Sequence, residues 1–250
     1  MKLQLIVRRA PISSAANWLK QSWQIFQTNP GLFVGMHAVI ILLSLAVLIP
    51  IVGMLVLFAV PFLQAGFFTA IVASQQQKPL QFEMLFKPFQ IAEIRTPILM
   101  MAVAQLLCSL PHLYMVEQFT ESFKAGNVEI VEVLAIVVLY SLNLMLFAYA
   151  VPIIYFLREN RLWPVLQSSL LACWRNTLPL LLFVLMILGI LLFISVVISL
   201  LSSIVSFAGV LFLPAMFVLM PILTIAFFLS FSEFFALVIS KDEPTQVFEV

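Results

Sequence analysis

Few residues in this chain could do chemistry, and most of them stand inside long apolar runs. Glu233, in FFLSFSEFFALVIS, is the one carboxylate placed well within such a run, and His37 stands alone in GLFVGMHAVIILL. Asn143, Gln105 and Gln64 are the other polar side chains so placed. An ionised group in hydrocarbon is costly and is usually paired or functional. Glu233 therefore has two readings: a charge paired with Arg158, Arg161 or Arg175, or a proton or cation site. His37 could titrate near neutral pH or hydrogen-bond to a neighbouring helix. Asn143 and Gln105 suit the same interhelical bonding.

Other chemistries lack their residues. The chain has no HExxH, no Gly-rich phosphate loop, no nucleophile elbow and no His, Asp or Cys cluster at ligand spacing. No enzyme activity, cofactor or metal is expected. The basic residues are dispersed, which argues against a nucleic-acid surface. Cys108 falls within an apolar run and Cys173 outside one, so neither a disulfide nor a metal site is expected.

The elements that must hold these residues follow from composition. The chain is 64% hydrophobic and 9% charged, with a mean hydropathy of +1.17, far outside the range of soluble domains. A hydrocarbon layer of about 30 Å needs roughly 20 apolar residues of helix to cross it. Its backbone groups must be paired internally, leaving helices or closed barrels. The runs here are long and do not alternate, so the expected class is an all-α polytopic bundle of six transmembrane helices. Candidate spans lie near 31–49, 51–74, 97–116, 131–157, 177–204 and 208–239. Pro50 and Gly53 supply the first tight turn, and Ser202, Ser203, Ser206 and Gly209 the break before the last span.

Cations sort by side in membrane proteins, staying on the cytoplasmic face. With the N-terminus inside, six spans place every one of the 12 lysines and arginines in the cytoplasm except Lys124, which falls among Glu117, Glu121, Glu129 and Glu132 in an external loop. Both termini are then cytoplasmic. Arg9 is followed by a long polar stretch rather than directly by an apolar core, so no secretory signal is expected.

Two cytoplasmic segments read as surface helices. Ile12, Ala15, Ala16, Leu19, Trp23 and Phe26 recur at helical spacing, opposite Ser13, Asn17, Lys20, Gln21 and Gln24. A second helix spans Trp163 to Arg175. Trp18, Trp23, Trp163 and Trp174 are expected as interfacial anchors. Each helix leads to a corner, Asn29-Pro30 or Asn176 with Pro179, and then into a hairpin of spans. Each hairpin ends in the same phrase, PFLQAGFF from Pro61 and PILTIAFF from Pro221. The chain thus reads as one integral membrane domain, 1–250, with duplicated units near 12–74 and 163–239 around a middle hairpin, 97–157. Within the phrase, Pro61 and Pro221 bend the helix, Gly66 and Ala226 admit a close neighbour, and Phe67, Phe68, Phe227 and Phe228 fill the space beyond. Two facing kinks would instead form a substrate gate. Gly31 and Gly35 make a GxxxG spacing at the membrane edge.

WLKQSWQIFQTNP at 18–30, the PFLQAGFF phrase and LFKPF at 85–89 resemble a bacterial family of six-span inner-membrane proteins, the YciC-like proteins. More distantly, the chain is similar to the membrane domain that precedes some glycerophosphodiester phosphodiesterases. The resemblance implies a multi-pass protein of the bacterial inner membrane and no established activity. Ser240–Val250 is too short to add a phosphodiesterase domain. Function is therefore expected to be accessory or scaffolding, toward a membrane-protein partner or the membrane lipids. The alternative is a transporter or lipid-handling protein for an apolar or amphiphilic molecule, since the spans hold few polar groups.

Overall fold

The structure is a computed structural model that describes residues 2–46, 49–205, 207–240 and 247–248. Contacts divide the chain into two compact units, 1–90 with 175–250, and 91–174.

In the first unit, strand β1 (Lys2–Val7) precedes α1 (Ser14–Thr28), α2 (Pro30–Leu45) and α3 (Pro50–Gln75). Asn29 is the corner between α1 and α2: its side-chain oxygen accepts the N–H of Leu32, and Pro30 opens the new helix where its missing N–H costs nothing. The two helices meet at 104°. After α3, two short 3-10 turns, Phe82–Leu85 and Lys87–Gln90, fold back along it. The unit resumes with α8 (Thr177–Ile204), a 3-10 turn at Ala208–Leu211 and α9 (Phe212–Phe234). Beyond α9, β2 (Phe235–Ser240) pairs antiparallel with β1, Lys2 opposite Ser240, and with the short β3 (Val247–Phe248).

The second unit holds α4 (Ala92–Ala125), α5 (Ile130–Phe147), α6 (Ala150–Leu157) and α7 (Leu162–Arg175). Gly126, at a φ of 71°, closes α4 in the left-handed conformation that glycine adopts without strain. Tyr149 breaks α5 from α6 at a buried junction, where its N–H donates to Ser169 Oγ of α7 at 3.1 Å.

Among the described residues, five helical stretches are long and apolar enough to cross a membrane: Leu55–Gln75, Ala92–Ala125, Ile130–Leu157, Thr177–Ile204 and Ala208–Phe234. A sixth is reached if the bent pair α1 and α2 counts as one span. These are the dimensions of a multi-pass membrane protein. Along α8, Leu178, Leu181, Leu185, Leu188 and Leu192 are all exposed, a stripe that only lipid or another apolar surface can cover.

The helical class agrees with the sequence reading, a long apolar helix stands at five of the six expected spans, and α8 coincides with the expected 177–204. Three boundaries differ. At 16 residues, or about 24 Å, α2 is shorter than the expected first span. The 34 residues of α4 run well past the expected 97–116. The last helix ends at Phe234 rather than at residue 239, because FALVIS pairs with β1. Leu48 and Ser206 of the two expected turns, and Lys241 of the charge assignment, lie outside the described residues.

Candidate functional site

Ser14 opens α1 and Trp18 follows one helical turn later, so both side chains leave the same face, together with Ser22 and Phe26. That face packs on α9. Glu233 stands one residue before the end of α9 and is half-buried. Its Oε1 accepts the Ser14 hydroxyl at 2.6 Å and its Oε2 accepts the Trp18 indole N–H at 2.6 Å. Each carboxylate oxygen thus has one donor, at the short distances that charged acceptors favour. Trp18 is only 2% exposed. Its ring meets Phe183 of α8 and Phe234 edge-on, at 5.8 and 5.5 Å between centroids.

Beside this contact the residues preceding α1 are pinned. Arg8 N–H donates to Phe234 O at 2.8 Å. The Asn176 side chain accepts Ala10 N–H at 2.8 Å and donates to Arg8 O at 3.0 Å, and Arg175 Nη1 donates to Val7 O at 3.1 Å. Asn176 is fully buried, so two backbone groups of the N-terminal segment depend on it. Asn29 caps its helix, whereas its counterpart Asn176 spends its amide on that segment.

Within its own unit Glu233 meets neutral donors, and Arg175, the candidate cation partner that shares that unit, donates to Val7 O instead. Among the described residues, the three arginines are engaged elsewhere: Arg175 on Val7 O, Arg161 on Glu159 at 2.9 Å, and Arg158 over the Tyr155 ring at 5.6 Å. The hydrogen bond from Arg161 holds the Glu159 carboxyl below the usual carboxylate range. A hydroxyl and an indole cannot neutralise a carboxylate, but they give each of its oxygens one donor. The arrangement ties a helix down.

The remaining sequence candidates disperse. His37 lies 5.5 Å from the Phe67 ring, and its Nδ1 is buried without a hydrogen-bond partner. Asn143 donates to Ser109 Oγ at 3.3 Å, joining α5 to α4 as expected. Gln105 is exposed on α4 and Gln64 is half-buried on α3. The two expected Gly contacts divide: a Cβ on Gly66 would overlap the backbone of Leu85, whereas Gly31 has open space and Gly35 meets only the Phe82 ring at 3.7 Å. The echoed phrases meet directly, since Phe68 and Phe228 stack at 5.0 Å and 21°. Pro61, Pro221 and Ala226 are buried within continuous helices, and Phe67 packs on Phe33 at 5.8 Å.

Of the four tryptophans, Trp23, Trp163 and Trp174 are exposed, as interfacial anchors would be. Trp18 is the exception, drawn into the core by Glu233. Ser14 and Trp18 were missed as its partners because a serine on a helix face reads as polar and outward. The signal available was the repeat of Ser14, Trp18, Ser22 and Phe26 at intervals of one turn. Ala16 and Trp23 of α1, and Ile12 just before it, are exposed, unlike the residues that pack on α9.

The chain was compared with protein-family models, with curated proteins and with solved structures, and no match was found in any of the three.

Proposed function

We propose that the chain is a non-enzymatic integral protein of the bacterial inner membrane with both termini cytoplasmic, serving a membrane-protein partner or organising lipid as an accessory or scaffold. The observation that carries this reading is the closure of Glu233. The carboxylate that the sequence offered either as one of a charge pair or as a proton or cation site has both oxygens occupied by fixed donors of α1. A transport carboxylate must exchange protons or ions with a path, and here that exchange requires breaking the contact that fastens α1. Exposed Trp23, Trp163 and Trp174 support an interfacial role for α1 and α7. The resemblance to YciC-like proteins is in keeping with this reading.

The reading includes an internal duplication in which α1 to α3 correspond to α7 to α9. Equivalent residues of two repeats touch each other only close to the axis relating them. The stack of Phe68 on Phe228, the same position of the repeated phrase, supports such an axis between α3 and α9. Hairpins inserted in the same direction give a parallel repeat about the membrane normal.

Isolation of the full chain from native membranes, followed by mass spectrometry of bound proteins and lipids, tests the assignment. A stoichiometric protein or a retained lipid class is the expected outcome. A defined small solute bound in place of either contradicts it.

A further inference from the structure

Where α1 turns into α2, the first unit holds a cavity of about 290 Å³ lined by Thr28, Asn29, Ser74, Gln77, Lys78 and Leu80. Five of these six side chains are polar, one is a cation and none is an acid. The volume lies at the small end of ligand pockets, enough for a headgroup rather than a whole amphiphile.

The level of the cavity in the bilayer follows from its walls. Ser74 and Gln77 flank the end of the apolar stretch Leu55–Gln75 of α3. Thr28 and Asn29 stand at the 104° corner where α1 gives way to the apolar run of α2. Both walls therefore change from apolar to polar at the same boundary. Lipid phosphates lie just outside the hydrocarbon, in the roughly 5–8 Å of headgroup region on each side.

The hydrogen-bond inventory favours an anion. Thr28 Oγ1 donates to Ile25 O and is 2.9 Å from Ser74 Oγ, so the two hydroxyls are already engaged. The Asn29 oxygen accepts Leu32 N–H, which leaves its NH2 as the free end. The amide of Gln77 and the ammonium of Lys78 add further donors. Gln77 also stands at φ 54°, closing α3 in a conformation usually left to glycine, while Lys78 N–H returns to Ala73 O at 2.9 Å. A residue that keeps a side chain under that strain, at the edge of a polar cavity, invites a functional explanation.

We infer that this cavity binds the phosphodiester of an anionic phospholipid, with Lys78 meeting its charge and the amides of Asn29 and Gln77 donating to its oxygens. The inference requires α2 and α3 to enter a bilayer. It does not depend on the accessory reading: a protein that retains a partner but shows no headgroup preference fails here only.

The test uses delipidated full-length protein in a neutral detergent, titrated with dioleoylphosphatidylglycerol and, separately, dioleoylphosphatidylcholine, with bound lipid counted by native mass spectrometry. Wild type is expected to prefer the glycerol lipid, and Lys78→Gln to bind it about fivefold more weakly, the worth of one surface cation near an anionic headgroup. Lys78 is exposed, so the substitution should leave the fold intact. Lys87→Gln, an equally exposed cation away from the cavity, should change nothing. Equal losses in the two variants would reduce the effect to general surface charge and overturn the site. Competition by millimolar inorganic phosphate would show a free-phosphate site and overturn the lipid assignment, as would equal binding of the two lipids.

Discussion

Gly66→Ala adds one methyl group to α3, and the structure says what that methyl meets. The Cβ position lies 2.6 Å from both the Cα and the carbonyl carbon of Leu85, backbone atoms that no rotamer change can move. Reaching ordinary carbon contact requires about 1 Å of displacement. The turn Phe82–Leu85 must yield it, yet Leu85 is fully buried, and Phe62 further along α3 stacks at 4.8 Å on Phe89 of the following turn. Overpacking of this kind costs about 1–3 kcal/mol, while replacing glycine by alanine within a helix returns about 1 kcal/mol. The net expectation is a loss of up to about 2 kcal/mol against the parent, and of about 1–3 kcal/mol against a glycine-to-alanine change that meets nothing. Gly189→Ala in α8 is the matched control, because nothing lies within 4 Å of its Cβ position. There only the propensity gain remains, about 0.5–1 kcal/mol of added stability. Equilibrium unfolding in mixed detergent micelles reads both. A Gly66→Ala stabilised as much as Gly189→Ala would mean that the segment after α3 does not pack against it and would refute the reasoning.

Trp18→Phe keeps the ring contacts to Phe183 and Phe234 but removes the indole donor. It should cost about 1–2 kcal/mol in the same unfolding assay, and little in a Glu233→Gln background, since both changes break one contact. Phe68→Ala and Phe228→Ala combined should cost about 0.5–1.5 kcal/mol less than the sum of their separate losses; strict additivity would deny the stack. Maleimide labelling at pH 8 should modify exposed Cys108 once the bilayer is dissolved and spare Cys173, which is buried in α7 and whose thiol burial pushes up to about 12, leaving it almost wholly protonated. Reporter fusions after Gln77 and Asn160 should report cytoplasm and one near Gly126 the outside; the reverse pattern would invert the orientation.

The helices were legible because hydropathy is a local property. A long apolar run such as Thr177–Ile204 can satisfy its own backbone, so the run fixes the span. The corner at Asn29-Pro30 was equally plain, since proline at the first helical position and asparagine before it are local chemistry. The end of α9 was not. FALVIS is as apolar as the helix before it, and only the pairing with Lys2–Val7, far away in sequence, makes it a strand. The site failed to show for the same reason. Glu233 could be found from its isolation, but its partners sit at the start of α1, and a serine and a tryptophan carry no charge to announce the pairing. Charge complementarity suggested an arginine, whereas geometry delivered neutral donors. Gly66 lay between these cases: a small residue promised a close neighbour, but not that it would be the Leu85 backbone.

Proton or cation flux into proteoliposomes, comparing wild type with Glu233→Gln, tests most directly the claim that the interior carboxylate fastens α1 and carries nothing. Both proteins should give flux no greater than empty vesicles. The variant should meanwhile unfold somewhat more readily, because a neutral amide accepts more weakly than the carboxylate and faces the donor-only Trp18 indole with one oxygen instead of two. A wild-type flux that vanishes in a Glu233→Gln protein of unchanged stability would contradict the account.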